Sequence, residues 1–430
     1  MSSVSDNQPC SAPTDSASLS QWLDYLLSIH PTEIEMGLTR VTEVAKRLNV
    51  LSPQSKVITV AGTNGKGTTC AMIESVLMQA GFTVGVYSSP HLLKFNERVR
   101  INQQDVSDSA LIAAFNAIET ARTLPDSATI SLSFFEYATL AGLYLFNIEK
   151  PDVVLLEVGL GGRLDATNII DADVSVITSI DIDHQEYLGD TRELVGREKA
   201  GVFRPECLAI IGEPDLPHTV LDYAAEINAN VYRVNHDFNY HLNGDTWQYI
   251  GANCVFHKLL LPKLPLANAA TAVAVIEQTW PSISPKDIMT GIARASLAGR
   301  LEQVQDSPKV LVDVAHNPHA AKYLASQLQQ YKPARIIALC GMLKDKDAAA
   351  VLSELKGVID EWYFTDLPVE RGLEATVLAG MLAQHEPPLK SSHFSSINQA
   401  WQSLNANITT DDVVIVFGSF YTVAGFSELL

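Results

Sequence analysis

The stretch Val57-Ile-Thr-Val-Ala-Gly-Thr-Asn-Gly-Lys-Gly-Thr-Thr69 constrains the fold more than any other part of the chain. Val57, Ile58, Val60 and Ala61 form a short apolar, β-branched run that reads as a buried strand. From Thr68 onward, Met72, Ile73, Val76, Leu77 and Ala80 recur on one helical stripe. A strand passing into a helix through Gly62, Gly65 and Gly67 leaves the unpaired N–H groups of the helix start facing outward, where they and the macrodipole favour an anion. Lys66 adds a mobile positive charge, so the loop is built for phosphate, and ATP is the leading ligand. Phosphate loops usually follow their lysine with Ser or Thr. Here Gly67 follows, so a metal at the phosphates needs other ligands. An ordinary tight turn is the competing account, and a lysine set between two glycines at a strand-to-helix junction disfavours it.

The 430 residues exceed a single ordinary core, and about 100 to 200 residues per domain points to two or three units, of which two is the reading adopted. We expect a flexible start over 1–20, an ATP-binding domain over 21–296 and a C-terminal domain over 297–430. With 47% hydrophobic and 18% charged residues the composition is that of a globular protein. A net charge of −19 argues against a nucleic-acid or anionic-membrane surface, so anionic ligands need local basic pockets. The first 20 residues have neither a basic start nor an apolar core, and no run reaches the length of a membrane helix. A cytoplasmic monomer is the expectation. Cys10, Cys70, Cys207, Cys254 and Cys340 are scattered and lack metal-ligand spacing; Cys70 and Cys340 lie in apolar contexts and read as core.

An N-terminal helical region from Trp22 to Val50 precedes alternating strands and helices: strand 56–61, helix 68–80 and strand 82–88 as a βαβ unit. Strands follow at Asp152–Val158, Val174–Ile180 and Leu208–Ile211, with helices near 107–122, 133–149, 191–200 and 217–228. The pattern is α/β with a mostly parallel sheet covered by helices, a P-loop ATPase-like domain. Residues 231–265, with aromatics and turn residues closely spaced, read as a small antiparallel β appendage before a helix from Asn268 to Trp280. A second strand and helix series from Val310 to Phe417 predicts a Rossmann-like domain without the GxGxxG fingerprint, so NAD or FAD is not suggested.

Several strand ends carry chemistry. Asp152-Val-Val-Leu-Leu-Glu157-Val-Gly-Leu-Gly-Gly puts a carboxylate where an apolar strand meets a glycine-rich turn, as a Walker B acid is placed. In an open parallel sheet the ligand crevice lies at the C-terminal strand ends, so Glu157 and the Lys66 loop can share one Mg·ATP. Strand 174–180 leads to His184, an imidazole able to complete a metal shell or position a phosphate. Tyr87-Ser-Ser89-Pro-His91 offers the Ser89 hydroxyl that Gly67 lacks, against the plainer account of a Ser/Pro turn. Lys199 by itself reads as a solvated charge. Asp313-Val-Ala-His316-Asn-Pro-His319 ends a strand of the second domain, where an Asx and Pro turn starting a helix competes with a ligand site.

Taken together, Thr-Val-Ala-Gly-Thr-Asn-Gly-Lys-Gly-Thr, Tyr-Ser-Ser-Pro-His-Leu, Leu-Glu-Val-Gly-Leu-Gly-Gly-Arg-Leu-Asp-Ala-Thr-Asn and Asp-Val-Ala-His-Asn-Pro-His resemble the folylpolyglutamate synthases of the Mur ligase superfamily, in family order from about Gln21 to the end. Gly67 after the loop lysine is itself normal for that family. Within it the likeness is to the bifunctional bacterial members. It implies an ATP-dependent ligase that adds L-glutamate to dihydropteroate and to tetrahydrofolates through an acyl phosphate; a monofunctional folylpolyglutamate synthase is the alternative. The resemblance implies that Thr63, Asn64, Gly65 and Lys66 hold phosphates, that Ser89, Glu157 and His184 ligate Mg²⁺, and that Asn268, Arg300 and Asp313 contact ATP. Lys199 matches the lysine that is carbamylated in this superfamily, able then to ligate a second metal, which overturns the solvated reading. Ser133, Phe134, Phe135 and Glu136, with Leu164, Asp165 and Ala166, match pterin-binding segments, and Ile34 begins a stretch to Arg40 that closes over the pterin. His316 and Ser419 match positions associated with glutamate. K⁺ is a further candidate cofactor. Because Lys66 and Asp313 fall on different domains, the reactants are expected to meet in an interdomain cleft.

Overall fold

The computed structural model describes residues 12–14, 16–30, 35–125, 127–331, 333–383 and 389–430. It is an α/β protein of two compact units, one of Met1–Pro262 with Leu266–Ala295 and one of Lys263–Pro265 with Ser296–Leu430.

The first unit opens with α1 (Leu19–Ser28), started by a capping box between Ser18 and Gln21, and α2 (Thr39–Leu48), ended by a left-handed Asn49. The helical region expected over Trp22 to Val50 holds these two helices, and Gly37, at φ +148, lies between them where a helix interior is disfavoured. The chain continues through β1 (Lys56–Ala61), α3 (Lys66–Gln79), β2 (Val84–Tyr87), β3 (Val99–Ile101), β4 (Gln104–Asp105), α4 (Asp108–Arg122), α5 (Phe134–Glu149), β5 (Val153–Glu157) and β6 (Val174–Ile177). Then come α6 (Gln185–Leu188), α7 (Arg192–Ala200), β7 (Leu208–Ile211), α8 (His218–Glu226) and β8 (Asn230–Arg233).

These strands form one sheet in the order β4-β3-β2-β5-β1-β6-β7-β8. From β2 to β8 the neighbours are parallel, while β3 and β4 add an antiparallel edge. The expected βαβ unit is real as a chain path, but β5 lies between β1 and β2. The appendage is smaller than residues 231–265: β8 joins the main sheet, and only β9 (Asn239–Asn243), β10 (Thr246–Ile250) and β11 (Val255–Leu260) form the antiparallel sheet. It is tied to α9 (Leu266–Thr279) by the buried Glu277, whose carboxylate accepts from the hydroxyls of Tyr232 at 2.9 Å and Tyr249 at 2.6 Å and from the Asn253 N–H at 2.6 Å.

Helix α3 departs from the amphipathic reading. It starts at Lys66, and every residue from Thr68 to Leu77 is buried, because it lies between the sheet and the pair α9 and α10 (Pro285–Arg294). The approach of α10 depends on Gly291, where a Cβ would meet the Val76 Cα at 2.5 Å. The Ser75 hydroxyl donates to the Gly291 carbonyl at 2.7 Å across the same contact. A helix enclosed on all sides holds its first turn, and the loop before it, against a rigid support.

The second unit runs β12 (Glu302–Gln305), β13 (Lys309–Asp313), α11 (Pro318–Leu328), β14 (Ile336–Cys340), α12 (Ala348–Leu355), β15 (Glu361–Thr365), α13 (Ala375–Ala383), β16 (Lys390–Phe394), α14 (Ile397–Asn405), β17 (Val413–Phe417) and α15 (Phe420–Ser427). Its sheet order is β12-β13-β17-β14-β15-β16, parallel except for β12. The polar edge strands β12 and β16 escape a reading that looks for apolar runs. Cys70 and Cys340 are both core residues, as their contexts indicate. Among the described residues no helix is long and apolar enough to cross a membrane.

Candidate functional site

Register lines up the chemistry of the first unit. Tyr87 of β2 pairs with Leu156 of β5, and Glu157 pairs with Val60 of β1, whose Ala61 pairs with Ile177 of β6. Ser88 and Ser89, Glu157, the Gly62–Lys66 loop and the Thr178–His184 segment therefore leave four adjacent strands at one C-terminal edge. This is where an open parallel sheet binds ligands.

The loop is shaped largely by the segment after β6. The Thr63 N–H donates to the Ser179 carbonyl at 2.8 Å, and the Thr63 hydroxyl accepts from the Asp181 N–H at 2.9 Å. The Asn64 carbonyl accepts from the hydroxyls of Thr178 at 2.7 Å and Ser179 at 3.0 Å. Gly65, at φ +85, holds the left-handed turn before α3, where a Cβ would strike the Asn268 side chain at 2.5 Å. Asn268 itself, buried on α9, donates to the Thr68 hydroxyl at 2.6 Å, and that hydroxyl donates to the Gly65 carbonyl at 2.9 Å. Asn268 thus buttresses the loop from behind. Lys66 folds back, its Nζ donating to the carbonyls of Gly62 at 3.0 Å and Thr63 at 3.2 Å. Those carbonyls can be exchanged for phosphate oxygens on the same arm.

Glu157 is buried, 6% exposed, whereas the Ser89 side chain is half-exposed and that of His184 is 43% exposed. His184 adopts a left-handed backbone at the start of α6. Ser89, Glu157 and His184 follow or end β2, β5 and β6 at the same sheet edge, and carboxylate, hydroxyl and imidazole are donor types that a divalent cation accepts. Among the described residues no cluster of three or more His, Cys, Asp or Glu side chains forms a metal site by itself.

Lys199 is not a solvated charge: it is 4% exposed, at the end of α7. The turn after Glu157 runs beside it, the Arg163 N–H donating to the Glu198 carbonyl at 2.9 Å. Burial, and next the nearby Lys66 charge, pull its amine down to about 7. Among the described residues no carboxylate pairs with it.

The two pterin-matched segments come together. The Phe135 ring lies against Gly159, where a Cβ would meet it at 2.5 Å, and the Asp165 carboxylate accepts from the N–H groups of Gly159 at 3.0 Å, Leu160 at 2.9 Å and Thr167 at 3.0 Å. Ser133 caps α5 and forms a capping box with Glu136, whose carboxylate also pairs with Arg40 at 3.1 Å. Ser133, Glu136 and Asp165 thus shape backbone, while Phe134, Phe135 and Leu164 stay half-exposed and Ala166 is buried. Ile34 lies outside the described residues.

In the second unit Asp313 of β13 pairs with Phe417 of β17, so Asp313, His316 and Ser419 emerge at neighbouring strand ends. The buried Asp313 carboxylate accepts from the N–H groups of Leu301 and Ala315, both at 2.8 Å. Burial pushes that carboxyl up, against the opposing pull of Arg300. The Arg300 guanidinium lies 5.5 Å from the centre of the Phe420 ring. His316 Nδ1 donates to the Val314 carbonyl at 2.9 Å, which fixes its tautomer. Asn317 caps α11 with Pro318 behind it, so for Asn317 the Asx and Pro turn is the structure found. Ser419 likewise caps α15, accepting from the Thr422 N–H at 3.0 Å, and is 2% exposed.

The sequence reading passed over Thr178, Ser179 and Arg98. The first two sit in a run that looks like the end of a strand, and Arg98 in the alternating Arg98-Val-Arg-Ile101 resembles an ordinary edge strand.

The chain matches the Mur ligase middle domain over residues 60–276 and the Mur ligase glutamate ligase domain over residues 299–420. It is 48% identical over 419 residues to a dihydrofolate synthase/folylpolyglutamate synthase of Escherichia coli (strain K12), covering 97% of each. A solved E. coli structure in complex with DHPP and ADP superposes with a TM-score of 0.92 at 48% identity, covering 97% of this chain and 98% of that one. A bifunctional folylpolyglutamate synthase/dihydrofolate synthase with Mn, AMPPNP and L-glutamate bound gives 0.90 at 46% identity, covering 97% and 99%.

Proposed function

This chain belongs to the Mur ligase family, among its dihydrofolate synthase/folylpolyglutamate synthases, and from that premise we propose an ATP-dependent ligase that makes two related amide bonds. It adds L-glutamate to dihydropteroate, giving dihydrofolate, and to reduced folates, giving folylpolyglutamates. The observation that carries this reading is the alignment of the Gly62–Lys66 loop and buried Glu157 on adjacent strand ends, β1 and β5.

A carboxylate is a poor electrophile and does not accept an amine at neutral pH without activation. The loop N–H groups and Lys66 hold the triphosphate and offset its charge, so that the substrate carboxylate can approach the γ-phosphorus in line. The P–O bond to ADP breaks as the acyl phosphate forms. The glutamate amine then adds to the acyl carbon, phosphate leaves, and the amine proton passes to solvent. Ser89, Glu157 and His184 hold Mg²⁺, which when bound supplies Lewis-acid neutralisation of the phosphate oxygens. Arg300 and Asp313 carry the second unit's contribution to nucleotide binding, and His316 and Ser419 its contribution to glutamate.

For Lys199 we assign carbamylation. An amine held near neutrality is partly uncharged at physiological pH, and only the uncharged form adds to CO₂. The new N–C bond gives a carbamate and releases a proton, replacing a buried cation by an anion able to ligate a second Mg²⁺.

The test is to incubate purified protein with Mg·ATP and labelled glutamate, offering dihydropteroate and tetrahydrofolate separately. Both should take up label. Label on tetrahydrofolate alone would mark a monofunctional folylpolyglutamate synthase, and ATP hydrolysis with no incorporation would refute the ligase.

A further inference from the structure

Arg98 ends a short 3₁₀ turn, Phe95–Arg98, and immediately precedes β3 at the edge of the sheet already described. It is 8% exposed, and its guanidinium lies 5.5 Å from the ring centres of both Phe95 and Phe134. Its Nε donates to His91 Nδ1 at 2.9 Å, and the Tyr87 hydroxyl is near enough to act on its charge. The imidazole is neutral by this geometry, because an Nδ1 that accepts from the guanidinium N–H carries no proton, and the phenol adds no charge.

Among the described residues no carboxylate lies within ion-pair distance of this cation. Its neighbour Glu97 is committed elsewhere, accepting from the N–H groups of Leu92 at 2.6 Å, Leu93 at 2.8 Å and Lys94 at 2.7 Å. Among the described residues the other buried arginine, Arg122, pairs with Glu119 at 2.7 Å. A desolvated guanidinium with aromatic walls, neutral props and no anion is costly by itself, and it is worth keeping where an anion arrives as ligand. Burial accordingly pulls Arg98 below the ordinary guanidinium range, and Glu157 acts on it only through space.

Phe134, which walls the guanidinium, begins the pterin-matched helix α5, and Tyr87 ends β2 beside Glu157's strand. The cation thus stands between the segment proposed for the pterin and the edge proposed for the phosphates. We propose that Arg98 anchors the aryl carboxylate of dihydropteroate, presented by Phe95, Phe134, His91 and Tyr87 as a pre-formed guanidinium cradle. The proposal rests on the ligase reading above and adds a substrate-binding residue to it.

The measurement compares binding of dihydropteroate with that of its carboxamide, which keeps the pterin and loses the charge, to wild type, Arg98→Met and Arg98→Gln. Wild type should prefer the acid by about 10- to 100-fold, the range for a charge-assisted pair. Both variants should lose that preference while binding the carboxamide as wild type does, and the KM for dihydropteroate should rise with the KM for ATP unchanged. Equal weakening of acid and carboxamide would show a purely structural prop and overturn the proposal. So would a wild type indifferent to the charge, which decides the matter even where neither variant folds. A wild type that binds the acid preferentially but never ligates it removes the ligase reading and leaves the anchor standing as a binding site.

Discussion

Two lysines set the chemistry at the residue scale. Lys66 lies on the loop carbonyls, on an arm that can turn to phosphate. Lys66→Ala should lower ligation by at least about 100-fold while circular dichroism and melting stay close to wild type, since the residue is half-exposed and packs into no core. Unchanged ligation would remove the role. Lys199 allows a pH-dependent check. Its amine is lowered to about 7, so the reactive uncharged form grows as pH rises through neutrality, and ¹³C-bicarbonate should give a carbamate resonance stronger at pH 8 than at pH 6 and absent in Lys199→Ala. Cys70 and Cys340 are buried, and burial pushes both thiols well up, so thiolate is scarce at pH 8. Alkylation mapped by mass spectrometry should spare both in the native protein and label them after denaturation.

At the scale of elements, α3 matters most, because the phosphate loop is its N-terminus. The helix is held between the sheet and α9 and α10, and Gly291 of α10 leaves no room for a Cβ against Val76. Gly291→Val places side-chain atoms against Val76 backbone and should cost about 1–3 kcal/mol as overpacking. It should also weaken nucleotide binding, measured by titration with a fluorescent ATP analogue, although it lies far along the helix from the loop. Stability lost with nucleotide affinity intact would show that the loop is held by Thr178, Ser179 and Asn268 alone.

For the whole molecule, each unit carries its own sheet. The core of the second is built from β13, β14, β15 and β17 with α11, α12 and α13, including Leu311, Leu324, Ala338, Trp362, Phe364 and Ile415. Residues 296–430 expressed alone should therefore fold and melt cooperatively, as followed by circular dichroism, while showing no ATP-dependent ligation. A fragment without a cooperative transition would mean that this core is insufficient by itself.

The sequence by itself determined what chemistry the chain carries and much of its layout. Strand 56–61 passing into a helix through three glycines and a lysine has one efficient use, and Glu157 at the end of an apolar strand reinforces it. The strands at 208–211, 361–365 and 413–417 are legible because a buried parallel strand is an apolar run. Tertiary structure alone decided the rest. Sheet order cannot be read from local pattern, so nothing in the sequence said that β5 separates β1 from β2 and thereby puts Glu157 beside the loop. Burial of Lys199 and Arg98 is equally invisible in the local pattern, where a lysine or arginine reads as solvated until other elements close over it, and for Lys199 only the family resemblance pointed the other way. Local periodicity encodes which face of an element is apolar. What that face meets, and which charges are taken out of water as a result, is settled only when distant segments pack.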